Sequence, residues 1–96
     1  MRDIYRALSD PTRRKIIALL RKRDLSAGEL ADHFSTSKPT LSKHFTVLKE
    51  ADLIEGRRDG TTIIYSLNVS VLEDALSHLL DAFKIVPKSK PSKEQP

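Results

Sequence analysis

Two amphipathic stretches joined by a turn of three residues constrain the fold of this chain more than any other feature of its sequence. The first, LSAGELADHF (25–34), has Ser26 three positions before Glu29, which is the pattern of a capping box at a helix N-terminus. The second, KPTLSKHFTVLKEA (38–51), follows Ser37, a predicted N-cap, and its apolar residues recur at the helical period. Two helices joined by so short a turn are typical of a helix-turn-helix motif.

The segments on either side of this motif extend it to a winged helix. Ahead of it, Asp10 is the predicted N-cap of an amphipathic helix in the run DPTRRKIIALLRK, and a shorter amphipathic helix over residues 2–8 precedes that run. After it, Asp59-Gly60 separates two short extended runs, which is a strong hairpin signal. Asn68 is the predicted N-cap of a last helix with a broad apolar stripe. The sequence therefore predicts a mainly α (α+β) fold, a winged helix-turn-helix with the order α-α-α-α-β-β-α.

Length and composition limit the number of domains and the kinds of site. The chain has 96 residues and no cysteines, so we expect one domain with a small core and neither disulfides nor thiolate metal sites. We expect that domain to span residues 1–86 and the basic tail over 87–96, PKSKPSKEQP, to be disordered. The N-terminus has no apolar signal-peptide region and no segment is long enough to span a bilayer, so we expect a soluble, cytoplasmic protein.

Hydroxyls and lysines occupy the polar side of the second motif helix, where a solvated helix usually carries pairs of Glu and Lys. A helix of this kind enters the DNA major groove by its N-terminal end, where Lys can donate to guanine and Ser or Thr can donate or accept. Arginines at the hairpin tip can contact phosphates or the minor groove. The alternative is a solvated face that lacks acids. The net charge of +4 adds weak support for a double-stranded DNA partner. The predicted DNA-binding residues are Ser37, Lys38, Thr40, Ser42, Lys43, Arg57, Arg58, Thr61 and Thr62.

Three motifs resemble the ArsR family of winged-helix repressors. They are an early DPTR at residues 10–13, the pattern S-x-H-[LF]-x-x-L-x-x-A at 42–51, and the pattern R-x-G-x-x-x-x-Y-x-L at 58–67. The combination of SDPTRRKI, AGELADHF and SKPTLSKH is similar to the SdpR-type autorepressors of that family. The resemblance implies a repressor that binds a palindromic operator through a recognition helix over 38–51 and a wing over 56–62.

The resemblance also implies a homodimer formed by the first and last helices. The residues agree, because the apolar faces of these helices are too large for a small protein to leave in water. A twofold dimer would present its recognition helices to half-sites about 34 Å apart or somewhat wider. Resemblance to SdpR-type proteins further implies a membrane-protein partner that relieves repression. The predicted dimer-interface residues are Ile4, Tyr5, Leu8, Leu72, Ala75, Leu76, Leu79, Leu80 and Phe83.

Many ArsR-like repressors sense metals, so the positions that match the family's ligands must be compared. The cysteine-containing site of the family corresponds here to Ser26, Gly28 and Ala31, none of which binds a soft metal. Of a second family site on the last helix, only Asp74 and His78 are present. We therefore expect no metal and no other cofactor, with a metal-responsive repressor as an alternative.

The alternatives to a DNA-binding regulator are an enzyme and a protein-interaction module. Ser, His and Asp are present, but no nucleophile elbow or phosphate-binding loop accompanies them, so we expect no enzyme activity and no small-molecule substrate. His33 and His44 are predicted to be structural. The remaining alternative is a protein-interaction module that binds a protein or an acidic membrane surface through the last helix and the basic tail.

Overall fold

The computed structural model describes residues 3–84, which form five helices and a three-stranded antiparallel sheet. No helix in these residues has the length and apolar character needed to cross a membrane. The predicted tail, residues 87–96, lies outside the described residues. The elements are α1 (Ile4–Leu8), α2 (Pro11–Lys22), β1 (Leu25–Ser26), α3 (Ala27–Ala31), α4 (Lys38–Glu50), β2 (Ile54–Asp59), β3 (Thr62–Leu67) and α5 (Val69–Ala82).

The predicted order of helices and hairpin is correct, but β1 was not predicted. Leu25 pairs with Tyr65 and Ser26 pairs with Ile64, which gives the sheet order β1-β3-β2. The third helix therefore begins at Ala27 and not at Leu25. A strand of two residues is too short to show an alternating pattern, so only its partner strand reveals it.

The predicted capping box at the start of α3 is confirmed. The Glu29 backbone N–H donates to Ser26 Oγ at 3.0 Å, and the Ser26 backbone N–H donates to Glu29 Oε1 at 2.9 Å. This second bond, with the nearby Arg23 guanidinium, lowers the pKa of Glu29 despite partial desolvation. The helix itself ends at Ala31, so the predicted helical unit to Phe34 was too long. Only a turn connects α3 to Ser37.

The other predicted N-caps are also confirmed. Asp10 Oδ2 accepts hydrogen bonds from the backbone N–H groups of Thr12 at 2.8 Å and Arg13 at 3.1 Å. Ser37 and Asn68 each accept from the N–H three residues ahead. Caps are local interactions, which explains why the sequence places these helix starts correctly.

The end of α4 turns the chain sharply into the wing. Asp52 has a φ of 60°, in the left-handed region, and its N–H donates to the Lys49 carbonyl at 2.9 Å. The N–H of Leu53 donates to the Leu48 carbonyl at 3.0 Å, and both leucines are fully buried. This is a Schellman motif with its apolar contact. It ends the helix at Glu50, one residue earlier than predicted.

The predicted hairpin is confirmed, but its two-residue turn is Gly60-Thr61 and not Asp59-Gly60, because Asp59 ends β2 and pairs with Thr62. Gly60 has a φ of 65°, whereas Thr61 has an ordinary φ. A positive φ at the first turn residue alone is the pattern of a type II′ turn, for which glycine is preferred.

The core lies between the sheet and helices α1 to α4. Its largest fully buried side chains are Ile16, Leu30, Leu41, Leu48, Leu53 and Ile54. On α4 the residues predicted to point inward, Leu41, Phe45 and Leu48, are all buried, as expected from their helical spacing. The Phe45 ring lies 4.8 Å from that of Tyr65 on β3, centroid to centroid, with the planes tilted by 36°. This contact attaches the hairpin to α4.

Gly56 has a packing role that a substitution can test. A Cβ at this position would lie 3.0 Å from the Tyr65 ring and 3.1 Å from Ile63 Cγ2. We expect Gly56→Ala to lower the free energy of unfolding by roughly 1–3 kcal/mol, because the added carbon overpacks the sheet. Gly28→Ala is the control, since its Cβ would approach only Ser26 Oγ at 3.9 Å. That variant should be neutral or stabilised by about 0.5–1 kcal/mol. Urea unfolding curves measure both, and equal stabilities for the two variants would contradict this account.

The Asp10 cap predicts a pH dependence. Desolvation raises the pKa of Asp10, but hydrogen bonds from the Arg13 and Thr12 N–H groups, with the nearby His44 and Arg13, outweigh it and lower the pKa. Because the folded pKa is below the unfolded one, the carboxylate stabilises the fold at neutral pH, and this is lost as pH falls below 3.8. Asp10→Ala should lower the free energy of unfolding by about 0.5–2 kcal/mol at pH 7. Asp10→Asn keeps a capping oxygen without the charge. Unfolding of all three proteins from pH 7 to pH 3 should show the wild type approaching Asp10→Asn, and a constant difference would contradict the prediction.

Candidate nucleic-acid interface

The polar side of α4 is exposed because its apolar side is held in the core. Leu41 and Phe45 are 2% and 6% exposed, which directs Ser42 and Lys43 outward on the same turn of helix. Lys38, at the first position of α4, is exposed as well. All nine predicted DNA-binding residues are in fact exposed, on α4, at its N-cap or on the wing. Their availability to DNA therefore agrees with the prediction, while their contacts with DNA stay a prediction.

The N-terminal turn of α4 combines two hydroxyls with the positive end of a helix. Ser37 Oγ donates to Thr40 Oγ1 at 3.0 Å and accepts from the Thr40 N–H at 3.4 Å. Pro39 has no N–H to satisfy. The partial positive charge of a helix N-terminus favours an anion such as a phosphate oxygen, and the lysine beside it adds a full positive charge.

The two wing arginines differ in their surroundings, which the sequence did not reveal. Arg57 NH1 donates to Asp24 Oδ2 at 3.4 Å, across the sheet from the loop before β1. Arg58 pairs in register with Ile63, and alternation along the strands places it on the sheet face that carries Tyr65. Arg58 is therefore on the side of the wing that faces α4. The Arg57 ion pair is exposed and so weak, and DNA phosphate can compete for that guanidinium.

A cleft separates the wing from the helix-turn-helix motif on this surface. Lys38 and Ser42 line one wall of it, and Ile63 and Tyr65 line the other. Burial raises the pKa of the Tyr65 hydroxyl, so this group is neutral at physiological pH. Together, α4 and the wing form a surface with exposed lysines at one edge and exposed arginines at the other.

His44 on α4 is largely buried, whereas Ser42 and Lys43 before it are exposed. Its side chain is 17% exposed, and its Nδ1 lies 3.1 Å from Arg13 NH1 and 3.9 Å from Asp10 Oδ2. His33 is exposed, and its backbone carbonyl accepts a hydrogen bond from Lys15 Nζ at 2.9 Å. The sequence identified neither contact, because each joins residues far apart in the chain.

A second exposed surface is apolar and lies on α1 and α5. The large hydrophobic side chains that are most exposed in the described residues are Tyr5, Val69, Leu76, Leu79 and Phe83. Four of these were in the predicted dimer interface, and Val69 was not. Ile4, Leu8, Leu72 and Leu80 are half-buried, and Ala75 is only 4% exposed within the single chain. The helical period of α5 explains the continuous stripe.

The positions considered for metal binding can also be located. Ser26 is occupied as a helix cap, and Gly28 lies exposed on α3. Asp74 and His78 border a cleft between α5 and α1 that Asp3 also lines. Within residues 3–84, no group of three or more His, Cys, Asp or Glu side chains is arranged to hold a metal ion.

Comparison with known proteins identifies the family. The family model described as a helix-turn-helix domain matches residues 2–57. The chain is similar to the transcriptional repressor SdpR of Bacillus subtilis (strain 168), with 47% identity over 81 residues, which cover 84% of this chain and 90% of the relative. It is 40% identical to an arsenical resistance operon repressor of Staphylococcus aureus over 76 residues, which cover 79% of this chain and 73% of the relative.

A solved structure extends the similarity to the fold. An ArsR-like transcriptional regulator from Rhodococcus sp. RHA1 superimposes with a TM-score of 0.77 and 30% sequence identity, covering 84% of this chain and 74% of that one. The overall fold thus agrees with that of a solved regulator of this type. The chain belongs to the ArsR family of winged helix-turn-helix transcriptional regulators.

Proposed function

We propose that this chain represses transcription as a homodimer that inserts the N-terminal half of α4 into the major groove and places the wing along the adjacent backbone. The observation that carries this proposal is the composition of the exposed side of α4. From Ser37 to Lys49 the chain contains no Asp or Glu, and its outward side chains near the N-terminus are hydroxyls and lysines. Acids at these positions would repel phosphate, and longer side chains would hold the helix away from the bases.

Each group has a chemical role at the DNA surface. Lys38 and Lys43 can donate to guanine O6 and N7 or to phosphate oxygens. Ser42 and Thr40 can donate or accept at base edges or at the backbone. The positive end of the α4 helix dipole favours a phosphate. Arg58, on the wing face towards α4, supports this arrangement with a contact beside the groove occupied by the helix.

The apolar surface on α1 and α5 supports a twofold dimer. Phe83 is 68% exposed and Tyr5 and Val69 are each 51% exposed, and a small protein is stabilised when such side chains are covered. A second copy presents the same surface, which satisfies the symmetry of a closed dimer. Two recognition helices related in this way would bind the two halves of a palindromic operator.

Repression would follow from occupation of a promoter, and binding to its own promoter would make the protein an autorepressor. The similarity to a relative named as a transcriptional repressor, SdpR, supports repression. A membrane-protein partner that relieves repression stays a prediction from the sequence resemblance. The names of the relatives are those of regulators and not of enzymes, which supports the expectation that this chain is not an enzyme.

The first experiment tests the recognition helix. Duplexes bound by the wild type are selected from a random-sequence pool, and affinities are then measured for Lys43→Ala, Lys38→Ala and the control Lys49→Ala. If Lys43 contacts a base, its removal should cost about 1–3 kcal/mol of binding free energy on the selected duplex. If it contacts phosphate, the loss should be smaller, independent of sequence, and accompanied by a flatter salt dependence. Lys49 lies exposed in the last turn of α4, so its substitution should change affinity little. Equal affinities for all three variants and the wild type would exclude α4 as the recognition helix.

The second experiment tests the dimer. Leu76→Glu and Leu79→Glu place charge on the apolar stripe of α5, where both leucines are exposed in the single chain. Because a buried charge is costly, we expect both variants to sediment as monomers and to lose at least about tenfold in affinity for the selected duplex. Ser77→Glu is the control, since it adds the same charge at an exposed polar position of the same helix. Dimers that survive both leucine substitutions would show that the interface lies elsewhere.

A further inference from the structure

Arginines of α2 donate hydrogen bonds to the carbonyls at the end of α1. Helix α1 has five residues, which is too short to be stable alone, and its C-cap Ser9 donates its N–H and Oγ to the Arg6 carbonyl. Arg13 Nε donates to the Ala7 carbonyl at 2.8 Å, and Arg13 NH2 donates to the Arg6 carbonyl at 3.0 Å. Arg14 NH1 donates to the Leu8 carbonyl at 3.0 Å. The orientation of α1 is therefore coupled to α2 by two guanidinium groups.

The third nitrogen of Arg13 reaches the recognition helix. Arg13 NH1 lies 3.1 Å from His44 Nδ1. A guanidinium can only donate, so Nδ1 is the acceptor in this contact. The Asp10 carboxylate, which caps α2 by accepting from the Arg13 N–H, is 3.9 Å from the same Nδ1. One planar side chain thus connects α1 with α4.

This connection is directional, whereas apolar packing is not. The buried side chains of α4 hold it against the core through burial of apolar surface, which is non-directional. The fixed fork geometry of a guanidinium requires both helices to keep their relative orientation, and a lysine cannot reproduce it. In a dimer formed through α1, that orientation sets the distance and angle between the two recognition helices.

We infer that Arg13 is a positioning residue that, through His44, fixes the half-site spacing which the dimer accepts. The inference rests on the proposed function, since it requires α1 in the dimer interface and α4 in the groove. Arg13 itself need not contact DNA. We expect substitution of Arg13 to reduce discrimination between operators of different spacing more than it reduces overall affinity.

The experiment uses the duplex selected by the wild-type protein and two derivatives with one base pair inserted or removed at its centre. One base pair moves a half-site by about 3.4 Å along the axis and also rotates it, so the wild type should prefer the original duplex by about tenfold or more. Arg13→Lys and His44→Leu should reduce this preference to below about threefold, and combining them should add little because both remove one interaction.

Two matched controls separate positioning from general stability. Arg14→Lys weakens a bond to an α1 carbonyl without touching α4, and it should keep the wild-type preference. His44→Asn restores an acceptor oxygen near the position of Nδ1, and it should recover most of the preference that His44→Leu loses. Circular dichroism melting and sedimentation establish that each variant is folded and dimeric. If Arg13→Lys does not fold, the comparison of His44→Leu with His44→Asn tests the inference in its place.

The results that would overturn the inference differ from those that would contradict the proposed function. A full spacing preference in folded Arg13→Lys or His44→Leu would overturn the inference and leave the proposed function intact. Equal losses on all three duplexes would also overturn it, since they indicate only a structural role. A wild type that selects a duplex without twofold symmetry, or that tolerates every spacing, would contradict the proposed dimeric function itself.

Discussion

The packing of α4 against the hairpin is the interaction on which the rest of the structure depends. Phe45 lies against Tyr65, and the Schellman turn at Asp52 sends the chain directly from α4 into β2. Burying one side of α4 forces its other side into solvent. The same contact also places the wing beside that side. A single apolar contact region therefore places the polar, basic side of α4 and the wing side by side, across a shared cleft.

The basic residues divide into those that hold the fold together and those that remain available at its surface. Arg13 and Arg14 donate to carbonyls of α1, and Lys15 donates to the His33 carbonyl while its ammonium lies 4.8 Å from the centre of the Phe34 ring. Three consecutive cations of α2 thus satisfy backbone groups. Net charge alone would count them with the DNA-binding residues. The proposed interface relies instead on lysines of α4 and arginines of the wing.

Local interactions explain which parts of the fold the sequence predicts well. Helix caps at Asp10, Ser37 and Asn68, the capping box, and the glycine turn each involve residues within a few positions of one another. Their residue types therefore identify them without knowledge of the fold. The strand β1 was missed because a strand of two residues exists only through its pairing with β3. The end of α3 at Ala31 was missed as well.

The sequence by itself determined the order of the helices and the hairpin, the inward and outward sides of α4, and the family, since periodicity, caps and motifs are all encoded in neighbouring residues. Only the tertiary structure decided how Arg13 spans α1 and α4, and how Arg57 and Arg58 come to lie in different surroundings. These contacts join positions separated by up to 33 residues along the chain. Hydrogen bonds over such distances form only after apolar packing has brought the elements together, so no local pattern specifies them.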